Sequence, residues 1–184
     1  HGRVEGEIEG VAADDDAVYC QTVEVDLDKL CPQVAKPHKV DNVSPIAEVE
    51  GTPVQHAIIG TCTNGRIEDL EVAARILDGK KIAHGMTLTI SPASKAVYIE
   101  AIHRGYVETF LRAGATIAIP GCSGCSGGAY VGIPADGEAV ITTANRNFKG
   151  RLGNANSFLY LASPATVAAS ALTGCIEDSR NYVR

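Results

Sequence analysis

Val54-Gln55-His56-Ala57-Ile58-Ile59-Gly60-Thr61-Cys62-Thr63-Asn64-Gly65-Arg66-Ile67 runs from an apolar stretch into a glycine-rich loop and out into helical spacing. The short apolar run bounded by turn residues reads as a strand, Val54 to Ile59. Ile67 to Leu77 reads as a helix, with Glu68 and Asp69 in its first turn, where the dipole favours acids. Thr63 or Asn64 is the expected cap. Gly79 marks the stop. A strand that enters a helix through a short loop is half of a β-α-β unit, and such units stack into a parallel sheet.

The same alternation continues outward from this stretch. Thr87 to Ile90 is a short strand. Ser94 to Arg104 has helical spacing and ends at Gly105, and Val107 to Ala113 is a helix closed by Gly114. Thr116 to Ile119, Ala139 to Thr143 and Phe158 to Ala162 read as strands. Ser163-Pro164 starts a last helix, Ser at the cap and Pro at the first helical position, which runs to about Leu172 and stops at Gly174. The expected fold is α/β: a three-layer α/β/α arrangement on a mostly parallel sheet, with 54–184 as its core. Residues 1–53 are expected to be an extended lead-in to the same domain, carrying one strand from the alternation of Val18 to Leu27. Pro32, Pro37, Pro45 and Pro53 argue against further regular elements there.

Cys62, Cys122 and Cys125 lie in two glycine-rich loops, Gly60-Thr61-Cys62-Thr63-Asn64-Gly65-Arg66 and Pro120-Gly121-Cys122-Ser123-Gly124-Cys125-Ser126-Gly127-Gly128. Each loop follows a strand, and ligands in parallel α/β sheets collect at the carboxyl ends of strands. A C-x-x-C pair serves a redox dithiol, half of a zinc site or part of an iron–sulfur site. The residues after Cys125 are poor helix formers, which weakens the dithiol reading. A second C-x-x-C or close His pair is missing, which weakens the zinc reading. Three thiolates suit an iron–sulfur cluster with one iron left open, and an open metal position does chemistry. Cys20, Cys31 and Cys175 lack such loops and read as packing residues.

Composition narrows the classes. The chain has 184 residues, 45% hydrophobic and 21% charged, with a net charge of −6. That is enough for a domain with a real core. An acidic balance argues against a nucleic-acid partner. No apolar run approaches a membrane span, so no membrane partner is expected. Six cysteines without a leader pattern point to reduced thiols in a cytosolic or organelle-matrix setting, cytoplasmic being the expectation. The chain opens at His1 with no initiator Met, so either a fragment or a trimmed chain is expected.

Thr143-Ala144-Asn145-Arg146-Asn147-Phe148-Lys149-Gly150-Arg151 follows a strand and carries three cations. Read plainly it is a solvated turn. Read against the cysteine loops, Arg146 and Arg151 are two guanidinium forks suited to a di- or tricarboxylate, with Asn145 beside them. Ser163 reads as a helix cap, since no His–Asp pair is spaced to activate it. His56, His84 and His103 read as structural or surface residues.

Laid side by side, IIGTCTNGRIEDL, the PGCSGC loop, TTANRNFKGRLGN and YLASPATVAASALTG resemble the aconitase superfamily, in the family's order from about Ile58 to Gly174. The most similar branch is the large subunits of 3-isopropylmalate dehydratase and homoaconitase. The resemblance implies a 4Fe–4S cluster on Cys62, Cys122 and Cys125. It implies Asn145, Arg146 and Arg151 as substrate-binding residues. It implies a hydro-lyase acting on a 2-hydroxy di- or tricarboxylic acid, 3-isopropylmalate first, with aconitase, homoaconitase or dimethylmalate dehydratase activity as alternatives. A cluster-responsive RNA-binding regulator is the alternative from another class. Only the family's cluster-ligating third domain is matched. The implied partners are the N-terminal domains of the large subunit and a small swivelling subunit or domain that brings the serine base, so no catalytic base is expected in this chain. Many members place Pro before the second loop cysteine, where this chain has Gly124.

Overall fold

The computed structural model describes residues 10–123 and 131–182. Cys125 and Gly124 therefore lie outside the described residues. The chain divides into two compact units, His1–Leu30 and Cys31–Arg184.

In the first unit, the strand expected from Val18 to Leu27 is absent among the described residues. Residues 18–26 form no ladder, and a single 3-10 turn, Leu27–Lys29, follows Asp26, whose carboxylate accepts from the Asp28 N–H. Val18, Val23, Val25 and Leu27 are exposed. Alternation makes a strand only where a neighbour completes its hydrogen bonds, and these residues have none.

The second unit is built on a seven-stranded sheet in the order β2-β1-β7-β6-β3-β4-β5. The strands are β1 (Gln33–Ala35), β2 (Val43–Pro45), β3 (His56–Ile59), β4 (Thr87–Ile90), β5 (Thr116–Ile117), β6 (Ala139–Thr142) and β7 (Phe158–Leu161). β7, β6, β3, β4 and β5 are parallel, and β1 and β2 add an antiparallel margin. The mostly parallel α/β sheet is the one the strand–helix alternation implies. The β1–β2 margin is not, because its prolines argue against strands. Pro45 is tolerated because β2 is an edge strand, where a missing N–H leaves no partner unsatisfied.

Helices α1 (Ile67–Leu77), α2 (Lys95–His103), α3 (Tyr106–Ala113) and α4 (Pro164–Thr173) lie within a residue or two of their expected bounds. Ser163 caps α4 as expected, accepting from the Thr166 N–H at 3.2 Å. The α1 cap differs: Asp69 reaches back, its carboxylate accepting from the N–H groups of Arg66 at 2.9 Å and Gly65 at 3.1 Å. Thr63 and Asn64 are thereby left to the loop.

One large core joins Ala57, Ile59, Leu88, Ile90 and Ile141 of the sheet to Leu70, Leu77, Ala101, Phe110 and Val167 of the four helices. Strand side chains alternate between faces, so Ile58, Val140 and Leu159 form a second cluster on the opposite face. Among the described residues that face is covered by chain without helix: Leu152 and Val131 pack there. Among the described residues, the chain packed on that face is crossover rather than helix. Between Thr142 and Phe158, glycines at 150 and 153 take positive φ and break helical propagation. Among the described residues, no helix is long and apolar enough to cross a membrane.

Candidate metal centre

β3 and β5 flank β4, and their carboxyl ends carry the two cysteine loops. Two strands separated by a third stand about 9.6 Å apart, yet the loops lean over β4 until Cys62 Sγ and Cys122 Sγ are 3.9 Å apart. A disulfide is about 2.05 Å, so the sulfurs are unbonded, and both cysteines are free and exposed. Two sulfurs at this separation stand within reach of one bound metal group. Among the described residues no three His, Cys, Asp or Glu side chains converge on a metal site. Cys125, the third cysteine of the motif, is outside those residues.

The loops hold this convergence through buried contacts. Gly60 has φ +95°, and a Cβ built on it would stand 2.0 Å from the Ser91 carbonyl oxygen. At Gly65 a Cβ would stand 2.7 Å from the same oxygen. Only glycine permits this approach. The Gly60 N–H donates to Thr143 Oγ1 at 2.8 Å, which ties the Cys62 loop to the end of β6. Thr61, fully buried, accepts from the N–H groups of Thr63 and Asn64. From the other loop, Gly121 N–H donates to the Pro92 carbonyl at 2.8 Å. Ser123, between the two C-x-x-C cysteines, bonds Ser91 Oγ and the Ile119 carbonyl, each at 2.6 Å. Asn64 Oδ1 is buried without a protein partner. Sulfur donors, close-packed glycine backbone and a free amide oxygen are a donor set that fits an iron–sulfur group.

The cationic stretch lies on the crossover out of β6, whose Thr143 touches the Cys62 loop. Asn145 and Arg146 are exposed. Arg146 lines a cavity of about 480 Å³ with His38, Lys39, Asp41, Asn147 and Phe148. Arg151 is half-buried, its guanidinium 5.5 Å from the centre of the Phe148 ring, and its Nε has no protein partner. Lys149 is exposed.

Asn147 was not separable from its neighbours in sequence. It is fully buried, and its amide donates to the carbonyls of Lys36 at 2.9 Å and Lys39 at 3.2 Å. An asparagine inside a polar stretch carries no signal that it turns inward. Ser91 and Ser123 were equally silent: both are small and polar in loop-like sequence, and both are buried.

At the opposite end of the sheet, His56 Nδ1 meets Thr87 Oγ1 at 2.6 Å and Nε2 meets Glu138 at 2.9 Å. This clamp ties the amino ends of β3, β4 and β6, in agreement with the structural reading of His56. The bond from His56 first, and the Ala135 N–H second, hold the Glu138 carboxyl below its ordinary range. The packing expected of the other cysteines is not seen at Cys20, which is exposed; Cys31 and Cys175 are half-buried.

Comparison with known proteins gives the family. The chain is 52% identical over 179 residues to the 3-isopropylmalate dehydratase large subunit 2 of Archaeoglobus fulgidus, covering 97% of this chain and 43% of that protein. It is 54% identical over 172 residues to the probable methanogen homoaconitase large subunit of Methanosarcina mazei, covering 94% and 43%. It is 50% identical over 172 residues to the 3-isopropylmalate dehydratase large subunit of Clostridioides difficile, covering 93% and 40%. The chain therefore spans about two fifths of the length of these curated relatives. The model of the Aconitase family (aconitate hydratase) matches residues 3–174, from before the first described strand to the end of the last helix, and the chain belongs to that family.

Proposed function

We propose that this chain is the iron–sulfur-ligating part of a hydro-lyase that acts on a 2-hydroxy di- or tricarboxylic acid, 3-isopropylmalate being the first candidate. The observation that carries the reading is the approach of Cys62 Sγ to Cys122 Sγ at 3.9 Å across β4. Cys62, Cys122 and Cys125 hold a 4Fe–4S cluster, Cys125 following Cys122 by one C-x-x-C step. That group, when bound, supplies a Lewis-acidic iron with an open position, which favours departure of a hydroxyl.

The chain's own residues do the rest of the binding. Arg146 and Arg151 hold substrate carboxylates through their forks. The Arg151 Nε, buried without a protein partner, is a donor available for that role. Asn145 orients the ligand from the same crossover. No base is assigned in this chain; proton removal belongs to the remaining domains of a large subunit and to a small subunit. The domain itself comprises the lead-in 1–53 and the core 54–184, and it works in the cytoplasm. Similarity to both 3-isopropylmalate dehydratase and homoaconitase large subunits supports the hydroxy-acid class.

The test is anaerobic reconstitution of the chain with ferrous iron and sulfide, followed by metal analysis and EPR. About four irons per folded chain are expected, with loss on Cys62→Ser, Cys122→Ser or Cys125→Ser. A folded chain that retains less than one iron under forcing conditions refutes the proposal. The complete two-subunit enzyme, assayed on 3-isopropylmalate, homocitrate, dimethylmalate and citrate, decides the substrate.

A further inference from the structure

We infer that Ser91 is the positioning residue that sets the spacing of the two cysteine loops, and so the retention of the iron–sulfur group; this rests on the proposed function above. Ser91 is the first residue past β4, the strand between the two that carry the loops. It is fully buried. Each of its polar parts holds a different neighbour.

Its N–H donates to the Ile59 carbonyl at 2.7 Å, extending the β3–β4 ladder to the brink of the Cys62 loop. Its carbonyl oxygen is the surface on which Gly60 and Gly65 close, at both ends of that loop. Its hydroxyl reaches the other loop, 2.6 Å from Ser123 Oγ. The direction of that bond follows from proton count. Ser123 has one hydroxyl proton and gives it to the Ile119 carbonyl at 2.6 Å, so Ser91 is the donor and Ser123 the acceptor. The relay Ser91 O–H to Ser123 O–H to Ile119 carbonyl folds the Cys122 loop back over the end of its own strand. The next two residues complete the dock: Pro92 accepts from Gly121, and Ala93 N–H donates to Gly65 at 2.9 Å. One residue thus supports Cys62 by its main chain and Cys122 by its side chain. Sequence inspection passes over it because neither cysteine is near it in the chain.

Ser91→Ala removes the bond to the Cys122 loop and leaves the Gly60 and Gly65 contacts in place. Ser123→Ala removes the same bond from the other side, together with the Ile119 bond. The experiment uses the full chain, reconstituted anaerobically with ferrous iron and sulfide. Its readouts are iron and sulfide content, the EPR signal of the reduced group, and the rate of absorbance loss in air. A fourth readout needs no metal: the rate at which oxidised glutathione converts the Cys62 and Cys122 thiols of the apo chain to their mutual disulfide, releasing two reduced glutathione molecules. Circular dichroism melting confirms that each variant is folded.

For Ser91→Ala, loss of absorbance in air is expected to be about tenfold faster, as the loss of one buried hydrogen bond implies, with a shifted EPR signal and slower disulfide closure. Ser91→Ala/Ser123→Ala is expected to match Ser123→Ala, since the two hydroxyls act through one bond. A folded Ser91→Ala chain with wild-type air stability, EPR signal and disulfide rate overturns the inference. If Ser91→Ala fails to fold, Ser123→Ala carries the same test. Failure of the wild-type chain to take up iron refutes the proposed function instead, and the disulfide rate still reads the loop spacing.

Discussion

Gly60→Ala is the substitution on which the loop geometry makes its sharpest demand. Gly60 sits at φ +95°, a conformation that costs a residue with a Cβ about 1–2 kcal/mol. The added carbon would lie 2.0 Å from the Ser91 carbonyl oxygen and 2.9 Å from its carbon, both backbone atoms. Contact distance for such a pair is about 3.5 Å, so the chain must separate by more than an ångström. That movement lengthens the Ser91 N–H bond to Ile59, now 2.7 Å, and the Gly60 N–H bond to Thr143, now 2.8 Å. Each such bond contributes about 1 kcal/mol. The total loss is about 3–4 kcal/mol. Gly137→Ala isolates the conformational part, since Gly137 has φ +82° and open space where its Cβ would go. Its expected loss is about 1–2 kcal/mol. Urea unfolding followed by circular dichroism should place the two midpoints about 1 M apart, given a dependence of about 2 kcal/mol per molar. Equal losses for the two variants would refute the close-packed account of the Cys62 loop.

Asn147→Ala removes the amide donor from the half-buried bonds to the Lys36 and Lys39 carbonyls and should cost about 1–2 kcal/mol by thermal melting. Asn147→Asp should cost more than Asn147→Ala, because it turns a carboxylate toward two carbonyl oxygens. The Glu138 carboxyl is held below its ordinary value of 4.5, chiefly by His56. A depressed carboxyl contributes stability above its unfolded value and loses it as pH falls through its folded value. Stability should therefore decline below about pH 4.5, and Glu138→Gln should flatten that decline in acid titrations followed by circular dichroism. Cys62→Ser should abolish iron uptake, while Cys20→Ser, an exposed residue of the first unit, should leave it unchanged by metal analysis.

The elements of the core were legible because their signals are local. Ile67 to Leu77 and Thr87 to Ile90 match their observed bounds, since helical periodicity, caps and terminal glycines act within a few residues. Val18 to Leu27 shows the opposite case. Its alternation is genuine, but a strand is a property of two segments, and the second is absent among the described residues. β1 and β2 failed in the other direction: the prolines around them discouraged strands, and the edge position of β2 excused Pro45. The α1 cap was misplaced by the same kind of reasoning, because Asp69 offered a better-placed acceptor than the loop residues.

Residue chemistry by itself determined the α/β class and the parallel sheet, and it singled out the two cysteine loops as the candidate site. Those follow from spacing along the chain, which tertiary structure does not alter. Only the folded chain decided that Cys62 and Cys122 meet, that helices cover one face of the sheet, and that Ser91, Ser123 and Asn147 turn inward. The reason is strand order. β4 comes between β3 and β5 in space as well as in sequence, so the loops of its neighbours close over its end. No local pattern records which backbone atom will lie beneath a glycine thirty residues away.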